Sequence, residues 1–180
     1  MCHAYLICYD NTVKIRFRPL VRGDFPLFIR WLGAPHVSRW WKEPATVEHV
    51  ESKYGPGADG KDKTAMFIVE SDETPVGFIQ SYKVDDYPEH AASVRLPGSI
   101  GVDLFIGEKD YVGKGYGSAL LKAFISDVVP RKYPDARQVV ADPSIKNLAS
   151  IHAFEKAGFH KGSITNDDDG LEQLMIADID

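Results

Sequence analysis

The spacing of hydrophobic residues along the chain predicts strands and helices in alternation. Short apolar runs and two-residue alternation are typical of strands, whereas apolar residues three and four positions apart are typical of helices. The predicted strands are residues 3–8, 13–17, 65–69, 76–82, 100–106, 138–141, 159–164 and 171–179. The predicted helices are residues 25–32, 46–54, 119–129 and 148–157. Because strands and helices are interspersed, we expect an α/β (α+β) protein.

Capping residues indicate where several of these elements begin and end. Asp24 and Asn147 are candidate N-caps, because their side-chain oxygens accept backbone N–H groups at the start of a helix. Pro130 is expected to close the helix over 119–129, and Gly158 to end the last helix. The polar segment 87–98 is expected to be irregular.

Two turns complete the predicted pattern. Asp10 and Asn11 favour a tight turn between the first two strands. The acidic run 166–170 ends in glycine and favours a turn between the last two strands. The chain shows no repeat or linker, so we expect a single domain over residues 1–180.

Composition and charge narrow the function. Of the 180 residues, 44% are hydrophobic, which is ordinary for a globular protein. The net charge of −5 argues against a nucleic-acid partner and permits a cationic substrate. We expect no signal peptide, no membrane partner and therefore a cytoplasmic location. Cys2 and Cys8 have no nearby cluster of ligands, so we expect no metal site and no disulfide framework.

The strongest single motif is residues 112–118, Val-Gly-Lys-Gly-Tyr-Gly-Ser, which leads into a predicted helix. Glycines at a helix start allow backbone N–H groups to approach an anion, so the segment predicts a phosphate or pyrophosphate cradle. A P-loop does not fit, because Lys114 lies between the glycines. A dinucleotide fold would place its glycines in the first strand–helix turn, whereas these lie in the second half of the chain.

A known family matches this pattern. Residues 112–118, Asn147 and residues 153–159, Ala-Phe-Glu-Lys-Ala-Gly-Phe, resemble the GNAT superfamily of acyl-coenzyme A N-acyltransferases. The resemblance implies a mixed, mostly antiparallel central sheet that is splayed between strands 4 and 5 and flanked by about four helices. It also implies acetyl-CoA as the cofactor, with its pyrophosphate at the glycine segment. The family usually carries Arg or Gln where Val112 stands.

One branch of the superfamily matches further. Residues 39–41, 77–82, 101–108 and 141–143 resemble the aminoglycoside 6′-N-acetyltransferases. This resemblance implies acetyl transfer to the 6′-amine of an aminoglycoside, an activity associated with antibiotic resistance. The expected partner is a small polycationic amine, and the expected assembly is a monomer or homodimer.

Asp103 is the candidate catalytic residue. Along residues 100–107, alternation places Gly101, Asp103, Phe105 and Gly107 on one face of the strand. A carboxylate in a central strand is costly unless it is paired or used. The resemblance implies that Asp103 binds the substrate amine and helps to remove its proton. The alternative is a structural aspartate bonded to a loop.

The resemblance also implies the coenzyme A contacts. Backbone N–H groups of the glycine segment would bind pyrophosphate, and the backbone of the strand before it would pair with the pantetheine arm. Asn147 would cap its helix and also meet the pantetheine. Phe154 stands where many relatives carry a tyrosine that protonates the departing thiolate, and Tyr116 is a candidate replacement. The implied cofactor-binding residues are Leu104, Phe105, Ile106, Gly113, Lys114, Gly115, Tyr116, Gly117, Ser118, Asn147 and Phe154.

Carboxylates and aromatic rings suit a polycation with flat sugar faces. The implied acceptor residues are Trp40, Trp41, Tyr82, Asp85 and Asp142, with Asp86 and Glu89 nearby. The alternatives are that the tryptophans belong to the core and that the acids at 85, 86 and 89 belong to a solvated loop. The histidines show no ligand spacing and receive no role.

Three functions compete on the sequence. The first is an acetyl-CoA-dependent aminoglycoside 6′-N-acetyltransferase. The second is a GNAT enzyme with another acceptor, such as hydroxylysine in siderophore synthesis or a protein N-terminus. The third is an acyl-CoA-binding module that has lost catalysis, which Phe154 would favour and Asp103 opposes.

Overall fold

A computed structural model describes residues 5–9, 13–167 and 170–179. The chain forms two compact units. Unit one contains the chain up to Gln80 together with Leu104–Val112, and unit two contains Ser81–Asp103 and the chain from Gly113 onward. The organisation as a single domain stays a prediction.

Eight strands and seven α-helices make up the described chain, with short 3₁₀ turns at 22–24, 84–86 and 109–111. The strands are β1 (Tyr5–Tyr9), β2 (Val13–Pro19), β3 (Ala65–Ser71), β4 (Thr74–Lys83), β5 (Ile100–Ile106), β6 (Gln138–Ala141), β7 (His160–Asp167) and β8 (Gly170–Asp178). The helices are α1 (Phe25–Leu32), α2 (Pro35–Trp41), α3 (Val47–Ala58), α4 (Pro88–Val94), α5 (Tyr116–Ala123), α6 (Val129–Lys132) and α7 (Leu148–Ala157). No described helix is long and apolar enough to cross a membrane.

Unit one is built on the strand order β1-β2-β3-β4-β5. β1 pairs with β2 and β2 with β3, both antiparallel. Phe28 of α1 lies at the centre of its core, with its ring centroid 4.5 Å from that of Tyr54 and 4.8 Å from that of Phe78. These edge-on contacts hold α1 and α3 against the sheet, because buried aromatic pairs stabilise beyond the area they bury.

The strands of unit two follow the order β5-β6-β8-β7. The β5–β6 pair is parallel, and its register joins Ile100 to Val139 and Gly101 to Val140. This register covers two residues of a seven-residue strand, so β5 leaves β6 after Gly101. Counted from β2, these are the fourth and fifth strands, where the resemblance predicts the splay. The mixed, mostly antiparallel sheet is confirmed, and the described residues form seven α-helices where about four were expected.

Three local predictions were wrong. The segment 87–98 contains α4, which begins with Pro88 in its first turn and ends at Val94. Asp24 precedes α1 without a side-chain capping bond to it, because its backbone is already helical at the end of the 3₁₀ turn over 22–24. Its carboxylate binds Arg18 at 2.7 and 2.8 Å and accepts a hydrogen bond from Val21 N at 3.0 Å.

The helix over 119–129 does not end at Pro130. A π-helical turn at residues 124–128 follows α5, and Pro130 lies in the first turn of α6. Proline lacks an N–H group, and the first turn of a helix needs none, so the chain continues helically through it.

Some of the other boundary predictions are confirmed, and the rest concern residues that the structure does not describe. Asn147 caps α7, and Gly158 ends it with a left-handed φ of 103°. The N-terminal hairpin is confirmed by the β1–β2 pairing. Its predicted turn residues Asp10 and Asn11, as well as Cys2 and the tip of the last turn at 168–169, lie outside the described residues.

Candidate active site

The glycine segment, residues 113–118, has the backbone geometry of an anion cradle. Gly113 and Gly115 adopt left-handed φ angles of 76° and 85°. A Cβ atom at either position would meet nothing within 4 Å, so the requirement for glycine comes from conformation and not from crowding. Lys114 is exposed between them. The segment thus opens toward solvent immediately before α5.

The first turn of α5 supplies hydrogen-bond donors. Ala119 N donates to Gly115 O at 3.2 Å and is the first backbone donor within the turn, while the Ser118 hydroxyl donates to the same carbonyl at 2.9 Å. The backbone N–H groups before Ala119 therefore precede the helical hydrogen-bond ladder. A Cβ atom at Gly117 would lie 3.5 Å from the Cβ of Ala153, which brings α5 close to α7. Binding of a pyrophosphate by these groups stays a prediction.

Two predicted coenzyme A contacts lie on α7. The Asn147 side-chain oxygen accepts a hydrogen bond from Ser150 N at 3.2 Å, so its capping role is confirmed and its contact with the pantetheine stays a prediction. Phe154 is 3% exposed, and its ring lies edge-on to Phe159 at 4.9 Å. Phe154 is therefore a packed core residue, and its role toward the cofactor also stays a prediction.

The carboxylate predicted to be catalytic lies beside a tyrosine. Asp103 is half-buried on β5, and two residues before it Gly101 lies under the ring of Tyr82. A Cβ atom at Gly101 would overlap that ring, so glycine is needed here for space. Burial, followed by the charges of Asp103 and Asp142, raises the pKa of Tyr82 far above its ordinary value. The Tyr82 hydroxyl therefore stays protonated as a potential donor.

A histidine completes this region. His90 of α4 lies with Nε2 2.8 Å from Oδ2 of Asp142, and its ring is 5.7 Å from that of Tyr82. The hydrogen bond to Asp142 raises the pKa of His90, and the charges of Asp103 and Glu172 act in the same direction. We call Tyr82, His90, Asp103, Asp142 and Glu172 the carboxylate cluster. All five belong to unit two, and they can hold a cation.

The remaining predicted acids have other surroundings. Asp85 is exposed and accepts a hydrogen bond from Gly98 N at 2.9 Å, so it closes the loop before β5. Asp86 and Glu89 are exposed. The contacts of Asp85 thus support the alternative that these acids belong to a solvated loop.

The predicted tryptophans belong to unit one, where Trp41 is partly buried and packs against the core. Its ring lies 4.9 Å from that of Phe105, and its Nε1–H donates to the Tyr54 hydroxyl at 2.9 Å. Trp40 is half-buried, with the Arg39 guanidinium 4.9 Å above its ring. The contacts of Trp41 support the core alternative, and acceptor binding by either tryptophan stays a prediction.

The second half of β5, Leu104–Ile106, also belongs to unit one. Phe105 is 8% exposed in the core there, while Leu104 and Ile106 are half-buried. Nε2 of His36 lies 3.1 Å from the carbonyl oxygens of both Ile106 and Gly107. Because carbonyls only accept, Nε2 carries the proton. Pairing of this strand with a pantetheine arm stays a prediction.

The sequence did not reveal His90 and Glu172 as part of the cluster. His90 lies in the segment expected to be irregular, although Pro88 followed by a glycine-free run up to Val94 could have indicated a short helix. Glu172 shares its side of β8 with Leu174 and Ile176, which pack with Tyr82 over the small core of unit two. No signal in the sequence pairs these two residues with Asp103 or Asp142.

A known protein family matches most of this chain. Residues 21–166 match the family described as "Acetyltransferase (GNAT) domain". Among curated proteins, the chain is 27% identical over 179 residues to the aminoglycoside N(6′)-acetyltransferase type 1 of Klebsiella pneumoniae, covering 96% of this chain and 87% of that protein.

Solved structures give the same match. The aminoglycoside acetyltransferase AAC(6')-Ib in complex with coenzyme A has a TM-score of 0.80 at 26% identity, covering 91% of this chain and 94% of that chain. The same enzyme in complex with coenzyme A and kanamycin has a TM-score of 0.79 at 27% identity, covering 91% and 94%.

Proposed function

The chain belongs to the acetyltransferase (GNAT) family, and on that premise we propose that it transfers the acetyl group of acetyl-CoA to the 6′-amine of an aminoglycoside. Family membership confirms the predicted fold and enzyme class. Coenzyme A and kanamycin are bound together in one similar structure, which supports both the cofactor and the acceptor proposed for this chain.

The observation that carries the proposal is the carboxylate cluster. Asp142 pairs with His90 at 2.8 Å, and the negative charges of Asp103 and Glu172 act on the same histidine. Neighbouring carboxylates favour a cation with several amines over a neutral or singly charged acceptor. An aminoglycoside has such amines, whereas a protein N-terminus offers one.

The chain supplies binding and proton transfer. Acetyl-CoA, when bound, supplies an acetyl thioester that an amine can attack. The glycine segment would hold its phosphates through backbone N–H groups. Asp103 would bind the ammonium of the acceptor and take one proton on its carboxylate, because only the neutral amine has a lone pair with which to attack. The Tyr82 hydroxyl, which stays protonated, would donate a hydrogen bond to the acceptor.

Other predictions remain open beside this proposal. Hydroxylysine and protein N-termini are alternative acceptors, and an acyl-CoA-binding module without catalysis is the non-enzymatic alternative. Phe154 cannot donate a proton, so either another group such as Tyr116 or solvent would protonate the departing thiolate. The cytoplasmic location, the monomer or homodimer, and the lack of nucleic-acid and membrane partners stay predictions.

A panel assay tests the proposal. Release of free thiol from acetyl-CoA is measured with kanamycin, tobramycin, hydroxylysine, spermine and an unacetylated peptide as acceptors. We expect kcat/KM to be highest for the two aminoglycosides, with the product acetylated at the 6′-amine by mass spectrometry and NMR. Activity with the peptide alone would overturn the acceptor, and thiol release with none of them would favour the binding module.

A further inference from the structure

The carboxylate cluster already contains a cation site that is occupied by a side chain. His90 Nε2 lies 2.8 Å from Oδ2 of Asp142, the distance of a charge-assisted hydrogen bond. Both side chains are 21% exposed. The pair is therefore shielded enough for its charges to interact strongly, yet a ligand in solvent can reach it.

The groups around His90 favour its protonated form. Three carboxylates act on it: Asp142 after β6 through the hydrogen bond, and Asp103 from β5 and Glu172 from β8 through their charge. The ring of Tyr82 from β4 lies 5.7 Å from the imidazole ring, and the ring of Tyr87 lies 5.1 Å from that of Tyr82. On its own helix Glu89 is exposed, and nearby Asp85 binds Gly98 N. The hydrogen bond to Asp142 and the three carboxylate charges outweigh burial, so the pKa of His90 lies above its ordinary value.

A carboxylate oxygen that binds an imidazolium is partly neutralised and is less available to a second cation. We propose that the protonated side chain of His90 occupies Asp142 as an internal cation, which a cationic acceptor has to displace. This inference rests on the proposed function, in which the acceptor is a polycation bound by carboxylates. His90 is thus a positioning residue for Asp142 that links acceptor binding to a proton.

The coupling between acceptor binding and protonation of His90 has a definite sign. Below the pKa of His90, a cationic acceptor competes with the imidazolium, so its apparent affinity is lower. Above that pKa, neutral His90 can still donate its Nε2–H to Asp142, but the competing charge is lost. By reciprocity, a bound acceptor lowers the pKa of His90.

The kinetic test compares wild type with His90→Gln, which keeps an N–H donor and removes the titrating charge. Aminoglycoside amines also titrate, so the informative quantity is the ratio of the two KM values for kanamycin at each pH. We expect the KM of His90→Gln to be about threefold below wild type at pH 6 and equal to it at pH 9, a size typical of a partly exposed ion pair.

A second measurement does not depend on a variant that folds. The pKa of the His90 imidazole is followed by NMR in wild-type protein, free and saturated with kanamycin. A threefold difference in affinity requires the pKa to fall by about half a unit on binding. Asp142→Asn should lower the pKa of His90 in the free protein, because it removes the charged partner.

The outcomes separate this inference from the proposed function. If wild type acetylates kanamycin but the KM ratio is constant from pH 6 to 9 and the pKa of His90 does not fall on binding, the inference about His90 is wrong and the proposed function stands. If wild type acetylates no aminoglycoside, the proposed function is wrong. Spermine then replaces kanamycin in the NMR titration, where an unchanged pKa of His90 would overturn the inference and a lowered one would support it.

Discussion

The glycine segment and the carboxylate cluster both lie in unit two, yet they are built in opposite ways. The glycine segment is one continuous run, and it works through the backbone conformation of Gly113 and Gly115. The cluster takes one residue each from β4, α4, β5 and β8 and one from the loop after β6, and it works through side-chain charge. A backbone site depends on which residues can adopt a conformation, whereas a side-chain site depends on packing that brings distant residues together.

The largest effect is expected from removing the carboxylate of Asp103, which would take a proton from the acceptor amine. Asp103→Asn keeps the shape of the side chain and removes its capacity to take a proton. We expect kcat/KM for the acceptor to fall about 10²-fold or more, the range of general-base assistance. The Kd for coenzyme A, measured by calorimetry, should not change.

Asp135→Asn is the matched control, because Asp135 is an exposed aspartate of the same unit. Its kcat/KM should equal that of wild type. A wild-type rate in Asp103→Asn would remove Asp103 from the mechanism and leave the cluster as a binding element alone.

The second largest effect is expected from a substitution that tests whether packing against Gly101 fixes the position of Tyr82 in the cluster. Gly101→Ala would place a methyl group inside the ring of Tyr82, and such overpacking costs about 1–3 kcal/mol of unfolding free energy. We expect urea denaturation to show this loss and the acceptor KM to rise, since Tyr82 has to move.

A double-mutant cycle shows whether Tyr82 is the cause. In a Tyr82→Leu background the smaller side chain leaves room, so Gly101→Ala should cost less unfolding free energy than in wild type. Equal costs in both backgrounds would contradict the overlap.

A smaller effect, on the affinity for coenzyme A, is expected from backbone strain in the glycine segment. Gly115→Ala forces a side chain into a left-handed conformation, which costs about 1–2 kcal/mol. We expect the Kd for coenzyme A to rise about tenfold, which corresponds to one charge-assisted hydrogen bond. Calorimetric titration with coenzyme A measures it.

Gly60→Ala is the control for strain by itself, because Gly60 has a left-handed φ of 70° and open space around it. Both variants should lose similar unfolding free energy, and only Gly115→Ala should bind coenzyme A more weakly. Equal weakening in both would mean that general destabilisation, and not the cradle, lowers the affinity.

The smallest effect is expected in the pH dependence of the unfolding free energy. The folded-state pKa of His90 is raised, so its pairing stabilises the protein fully below the unfolded pKa, and this is lost as the pH rises through the folded pKa. Wild type should therefore exceed His90→Gln in unfolding free energy at pH 5.5 by about 1 kcal/mol or less, with no excess at pH 9. Urea denaturation at both pH values measures it.

The same comparison in an Asp142→Asn background provides the control. Without the Asp142 charge, His90→Gln should show a smaller dependence on pH. A dependence of unchanged size would assign it to the other carboxylates, Asp103 and Glu172.

The sequence by itself determined the features that depend on neighbours along the chain. The cap at Asn147, the end at Gly158 and the bounds of β5 were predicted correctly, because capping bonds and strand alternation act within a few residues. The glycine segment was recognised for the same reason, since its conformation and its helix start are local. Together with residues 153–159 it identified the family, and with it the splayed sheet.

Only the tertiary structure decided the features that depend on residues far apart. His90 and Asp142 are separated by 52 residues, and no local sequence pattern predicts their pairing. Asp24 binds Arg18 and does not cap α1, and Trp41 packs against the core because its ring and Nε1–H contact Phe105 and Tyr54. Local propensity sets which elements can form, but the sheet and its packed helices determine which charges and rings meet.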